Sequence, residues 1–138
     1  MIMTQEQKDL KDLLIRDLCA RLPYGVKLQK TYDTSEPAEL YSIDLEHSEV
    51  KFYKYKGEGL TICDVGFIER YGKLRFKPYL FPLSNMTEEQ LLELSSISFE
   101  NSIDSSIKTL NWCYKNHFDI NNLIPMGLAN DATGLNIY

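Results

Sequence analysis

SIDSSIKTLNWCYKNHFDINNLIPMGLA, from Ser102 to Ala129, contains the only tryptophan, one of the two histidines and one of the three cysteines of the chain. At about 100° per residue, Ile103, Ile107, Leu110, Tyr114, His117 and Phe118 fall in one apolar sector, the stripe by which a helix packs on a core. Trp112 falls about 180° from Ile103, between Lys108 and Lys115, on the side such a stripe leaves to water. The expectation is a helix that meets the core through the Ile103 stripe and carries an indole on its outer face. From Asp119 to Tyr138 the only charges are Asp119 and Asp131, set among Ile120, Leu123, Ile124, Met126, Leu128, Leu135 and Ile137. Pro125, Gly127 and Gly134 interrupt regular structure in this tail. It is expected to fold back over the domain, with Ile120–Leu128 as the cover for Trp112, because monomers rarely leave such apolar patches exposed.

Upstream of this stretch, Thr87 and Gln90 have the spacing of a capping box and open a short helix to about Ser96; Ser102 or Asn101 caps the next one. A second capping box, Thr4 with Gln7, opens a helix from Thr4 to Leu22. Its broad face of Leu10, Leu13, Leu14, Leu18 and Leu22 is interrupted by Asp17 and Arg21, an i, i+4 pair. Pro23 and Gly25 end it. From Val26 the period becomes two. Val26 and Leu28 form one inward set, and Tyr41, Ile43 and Leu45 another. Val50–Lys56, Leu60–Glu69 and Lys73–Leu80 are further strands, with Pro78 and Pro82 expected to close the sheet. The predicted fold is α+β, a single domain over 1–138: an N-terminal helix, an antiparallel meander of four or five strands, two C-terminal helices and an ordered irregular tail.

The 138 residues carry a net charge of −5, which argues against generic attraction to nucleic acid or anionic membrane. Charge is nevertheless segregated. Residues 51–77 hold seven Lys or Arg against three Asp or Glu, whereas 31–49 hold six acidic residues and no Lys or Arg. A hairpin joining these segments sets an acidic strand beside a basic one. There is neither a leader-like N-terminus nor a run of about 18 apolar residues, so a cytoplasmic protein is expected. Three dispersed cysteines fit reduced thiols.

Cys113 and His117, at i, i+4 and followed by Asp119, have the residue types of a thiolate–imidazole pair and make a small hydrolase one reading. The same residues serve as a small core hydrophobe and a hydrogen-bonded imidazole. The Cys and His spacings match no metal motif, and Gly57 and Gly59 lack the lysine and helix start of a phosphate cradle, so neither metal nor cofactor is expected. Lys51, Tyr53 and Tyr55 on one strand face, with Lys73, Arg75 and Lys77 on another, form a candidate surface for single-stranded nucleic acid. The competing account is a charge-paired sheet. Trp112, Lys108 and Lys115 form the candidate partner-binding set, since exposed tryptophans are often binding hot spots.

The strings QKDLKDLLIRDLCARLPYGVK (Gln7–Lys27), KPYLFPLSNMTEEQ (Lys77–Gln90) and NWCYKNHFDINNLIPMGLANDATGLNIY (Asn111–Tyr138) resemble a family of small uncharacterised proteins of Bacteroides phages and prophages. The resemblance covers both ends of the chain better than its central strands. It implies a mobile-element protein of a bacterial cytoplasm and carries no activity, cofactor or site residue with it. Together these readings lead to an expectation of a non-enzymatic accessory protein acting by binding a host or phage protein. The single-stranded nucleic-acid binder is the alternative, and the Cys/His hydrolase comes third.

Overall fold

The computed structural model describes residues 4–30, 33–46, 49–55, 58–64 and 76–138. Helix α1 (Gln5–Arg21) leads into strands β1 (Lys27–Lys30), β2 (Asp33–Asp44), β3 (Glu49–Tyr55), β4 (Glu58–Asp64) and β5 (Phe76–Leu80). Helices α2 (Glu88–Ile97) and α3 (Ile103–Lys115) and a two-residue strand β6 (Asn130–Asp131) complete the α+β fold.

Local chemistry sets the element ends. Thr4 Oγ1 accepts the Gln7 N–H at 3.2 Å while Gln7 Oε1 accepts the Thr4 N–H at 2.9 Å, and Thr87 with Gln90 repeats the exchange at 3.1 and 2.9 Å. Each exchange satisfies two N–H groups that a helix start otherwise orphans. After α1 the chain turns at Gly25, whose φ of 68° favours glycine; a Cβ there would also stand 2.5 Å from Glu39 Oε1 and displace that carboxylate.

The sheet order is β4-β3-β2-β1-β5-β6. The first four strands form the expected meander. β5 does not extend it beyond β4; it returns to pair antiparallel with β1, and β6 adds to β5 in parallel. Pro78, expected to close the sheet, lies inside β5 opposite Leu28. A proline is tolerated where the ladder does not need its N–H, and β6 pairs only with Tyr79 and Leu80. The expected strand ends at Glu69 and Lys73 fall in 65–75, outside the described residues.

One core joins Leu14 and Leu18 of α1 to Val26, Leu28, Ala38, Leu40, Val50, Phe52, Phe76 and Leu80 of the sheet and to Leu123, Leu128 and Ala129 of the tail. The tail is therefore ordered and folded back. Asp119 turns it inward, its carboxylate accepting the N–H groups of Leu123 at 2.8 Å and Ile124 at 2.9 Å. The expected inward set Tyr41, Ile43 and Leu45 is not what the sheet buries. A register irregularity between Leu40 and Ser42 lets Leu40 and then Ile43 face the core, and leaves Tyr41 and Leu45 exposed.

Asp17 and Arg21, the polar break in the α1 face, are both fully buried and bonded at 2.5 Å. Arg21 Nη2 also donates to Asp17 Oδ2 at 3.1 Å and to the Phe118 carbonyl at 2.7 Å. Asn121 Nδ2 donates to Asp17 Oδ2 at 2.8 Å, and the guanidinium lies 5.0 Å from the centre of the Tyr114 ring. The pair fastens α1 to the end of α3 and to the tail.

Candidate partner-binding surface

The geometry of α3 follows from its first turn. Ser102 Oγ accepts the Ser105 N–H at 3.1 Å, and Ser105 Oγ donates to the Ile97 carbonyl at the end of α2 at 3.0 Å. This bond turns the side of α3 that carries Ser105, Thr109, Trp112 and Cys113 toward the protein. Trp112 stacks on Phe118 with ring centroids 5.7 Å apart and planes 14° apart. Phe81, Met86, Leu94, Ile97 and Ile120 pack around Trp112, Cys113 and Phe118 as a second small core.

The sequence-based orientation of α3 is thus reversed. Trp112 is only 7% exposed, whereas Ile103, Ile107 and Leu110 are 82, 51 and 49% exposed. Counting apolar residues favoured the isoleucine stripe, but one indole stacked on a phenyl ring buries more area than any single aliphatic side chain. The small Ser105 also lets α2 approach closely enough to take its hydroxyl. The last three members of the stripe do find cover, Tyr114 half-buried beneath Arg21, His117 half-buried and Phe118 buried; the first three remain outside. Of the expected cover Ile120–Leu128, only Ile120 packs around Trp112, whereas Leu123, Ile124 and Leu128 join the main core; Leu94 and Ile97 of α2, with Phe81 and Met86, supply the rest of the cover.

Trp112, Lys108 and Lys115 line one open groove of about 280 Å³ with Tyr24, Ile97 and Asn111. The indole forms part of its wall rather than projecting from it, and its buried N–H has no hydrogen-bond partner. Lys108 reaches Asp104 at 3.0 Å, and that hydrogen bond raises its pKa. Next to this groove, and sharing Ile97 and Lys108 with it, a second depression of about 330 Å³ is lined by Phe99, Glu100, Asp104 and Ser105. Sequence reasoning set Trp112 between Lys108 and Lys115, and all three line this groove; it missed the exposure of Ile103, Ile107 and Leu110, whose spacing was assigned to the core.

The other candidate sets fare differently. Lys51 lies on β3 and Lys77 on β5, with β2 and β1 between them, so three strand spacings of about 4.8 Å separate their strands. Lys73 and Arg75 lie outside the described residues, as do the side chains of Tyr53 and Tyr55. β2 and β3 pair as expected, and the register sets Ser42 opposite Lys51 and Asp44 opposite Glu49, so the directly opposed pairs at these positions are not acid against base. Cys113 is buried, and desolvation pushes its thiol pKa up, opposite to what a nucleophilic thiolate requires. The His117 imidazole is lowered to about 4 by burial and by the charges of Arg21 and Lys27, and its ring stacks 3.6 Å from that of Tyr138.

Among the described residues no group of three or more His, Cys, Asp or Glu is placed to hold a metal ion, and no helix is long and apolar enough to cross a membrane. No family model, curated protein or solved structure matches the chain.

Proposed function

We propose that this is a non-enzymatic accessory protein of a phage or mobile element, acting in a bacterial cytoplasm by binding another protein through the outer face of α3. The observation that carries the reading is the exposure of Ile103, Ile107 and Leu110, aligned at i, i+4, i+7 on one helix. Phe99, at the α2–α3 connection, is 87% exposed and adds an aromatic nearby in the chain. Aligned apolar anchors on a helix, rimmed by charges such as Asp104, Lys108 and Lys115, are the pattern by which one helix docks against another protein. The groove beside the stripe adds an apolar recess with cationic edges, suited to an apolar side chain next to an acidic one.

A photo-crosslinking residue at Ile107 tests this in host cytosol. It should trap one discrete protein product whose yield falls when Ile103 and Leu110 are changed to Lys, while the same probe at Asp12 of α1 should trap none. Equal, indiscriminate labelling from both positions would overturn the reading.

A further inference from the structure

From the spacing and charges of α3, we infer that the occupant of its outer face is a second copy of the same chain, with the two α3 helices antiparallel about a two-fold axis near residues 108 and 109. The inference rests on the reading of that face as a binding surface and names the partner. Ile103, Ile107, Leu110 and Tyr114 follow one another at intervals of four, three and four residues. That order is the same in both directions. Reversing one helix against the other therefore sets Ile107 on the second copy's Leu110, exposed on exposed, and Ile103 level with the second copy's Tyr114, whose ring is half-buried beneath its own Arg21. A two-fold interface requires this kind of self-complementarity, in which one patch serves both sides.

The charges obey the same symmetry. Asp104 and Lys115 lie about 20° apart around the helix axis and so on one flank of the stripe, but at opposite ends of the helix. Antiparallel pairing brings like flanks together. Asp104 then faces the second copy's Lys115, within about 3 Å of level along the axis at 1.5 Å per residue, and the contact occurs twice. A parallel arrangement sets Ile103 on Ile103 and provides neither ion pair. Lys108 lies close to the axis, where two copies would bring like charges together, and its ammonium is already drawn back toward Asp104 at 3.0 Å. The carboxylate thus sits between its own Lys108 and the second copy's Lys115. The exposed apolar area of one α3 is a few hundred Å² and so within the range that marks an interface, but below the roughly 800 Å² per partner of standard complexes. The dimer is accordingly weak, with Kd of roughly micromolar or looser.

Sedimentation of the full chain from roughly 1 µM to 1 mM spans that regime. The mass should rise toward a dimer, less so at high salt. D104K and K115E, each checked for unchanged helicity, should each weaken association at least about tenfold by opposing like charges twice. An equimolar mixture of the two variants should associate at least as well as the unchanged protein, because the unlike copies complement each other at both ends. A protein that stays monomeric throughout the range, or a mixture no better than its components, would overturn the self-docking. If a discrete foreign product is still trapped at Ile107 in that event, the protein-binding reading stands without it; if nothing is trapped, both fall.

Discussion

Helices α1 and α3 both carry an apolar face, yet α1 turns its face to the sheet and α3 turns its face outward. The α1 face is the less perfect of the two, with Asp17 and Arg21 set among its leucines, and it is nevertheless buried. The α3 stripe from Ile103 to Leu110 has no charge in it and is exposed. The partners each side meets make the difference. Arg21 finds Asp17, the Phe118 carbonyl and the Tyr114 ring, so the polar interruption is held inside although its Nη1 has no hydrogen-bond partner. Trp112 finds Phe118 and Ser105 finds Ile97, so the side of α3 with fewer aliphatics is the one held inside.

The largest effect should come from removing what makes the α1 interruption tolerable. Asp17→Ala leaves the Arg21 guanidinium buried without its counter-charge and should cost about 3–5 kcal/mol in urea unfolding. Asp17→Leu combined with Arg21→Met should recover most of that, since a buried pair replaced by apolar side chains is often neutral. A full loss in the double variant would show that the hydrogen bond to Phe118 matters more than the charge balance.

On α3, Trp112→Ala should cost about 3 kcal/mol by leaving a cavity beside Phe118, whereas Ile103→Ser should stay within about 0.5 kcal/mol. Equal costs at the two positions would break the contrast between the helix sides. The intact indole should emit at short wavelength and resist iodide quenching, independently of protein concentration, because the proposed pairing leaves Trp112 inside each copy.

An effect smaller than the losses at Asp17 and Trp112 concerns the junction where the ends of both helices meet. His117 stays neutral in the fold down to about 4, while the unfolded chain protonates near 6.5. Below that value the unfolded state takes up a proton that the folded state refuses. Stability should therefore fall as pH drops from about 6.5 to about 4 and level off below, by about 1–2 kcal/mol in view of its partial access to water. His117→Asn tolerates the positive φ of 63° and should remove this component of the slope. Identical pH profiles for the two proteins would contradict the shift.

Features that depend on near neighbours were legible in the sequence: both capping boxes, the inward pair Val26 and Leu28, and the existence of strands β1 to β5, as was the folded-back tail, although not its strand β6. Those that depend on distant partners were not. Nothing near Phe76 indicates that β5 pairs with β1, and no alternation pattern can reveal the irregularity that moves Tyr41 and Leu45 outward. The site was half legible. Lys108, Lys115 and Trp112 do line one groove, but helical periodicity reveals that a helix has two sides without saying which side its own domain will cover.

The bond from Arg21 to the Phe118 carbonyl joins residues 97 apart in the chain. During synthesis α1 can coil, and the Asp17–Arg21 pair can form across a single turn, long before the groups that enclose it exist. Until the chain has been elongated past Asn121, the leucine face of α1 has neither Leu123 nor Leu128 to close over it, and the guanidinium must remain hydrated. Until residues beyond Asn121 have been added the nascent chain thus holds the α1 face without its tail cover, a condition in which ribosome-associated chaperones act on apolar segments and in which premature association is a hazard. Topology of this kind also slows refolding, since the closing contacts are among the most distant in sequence.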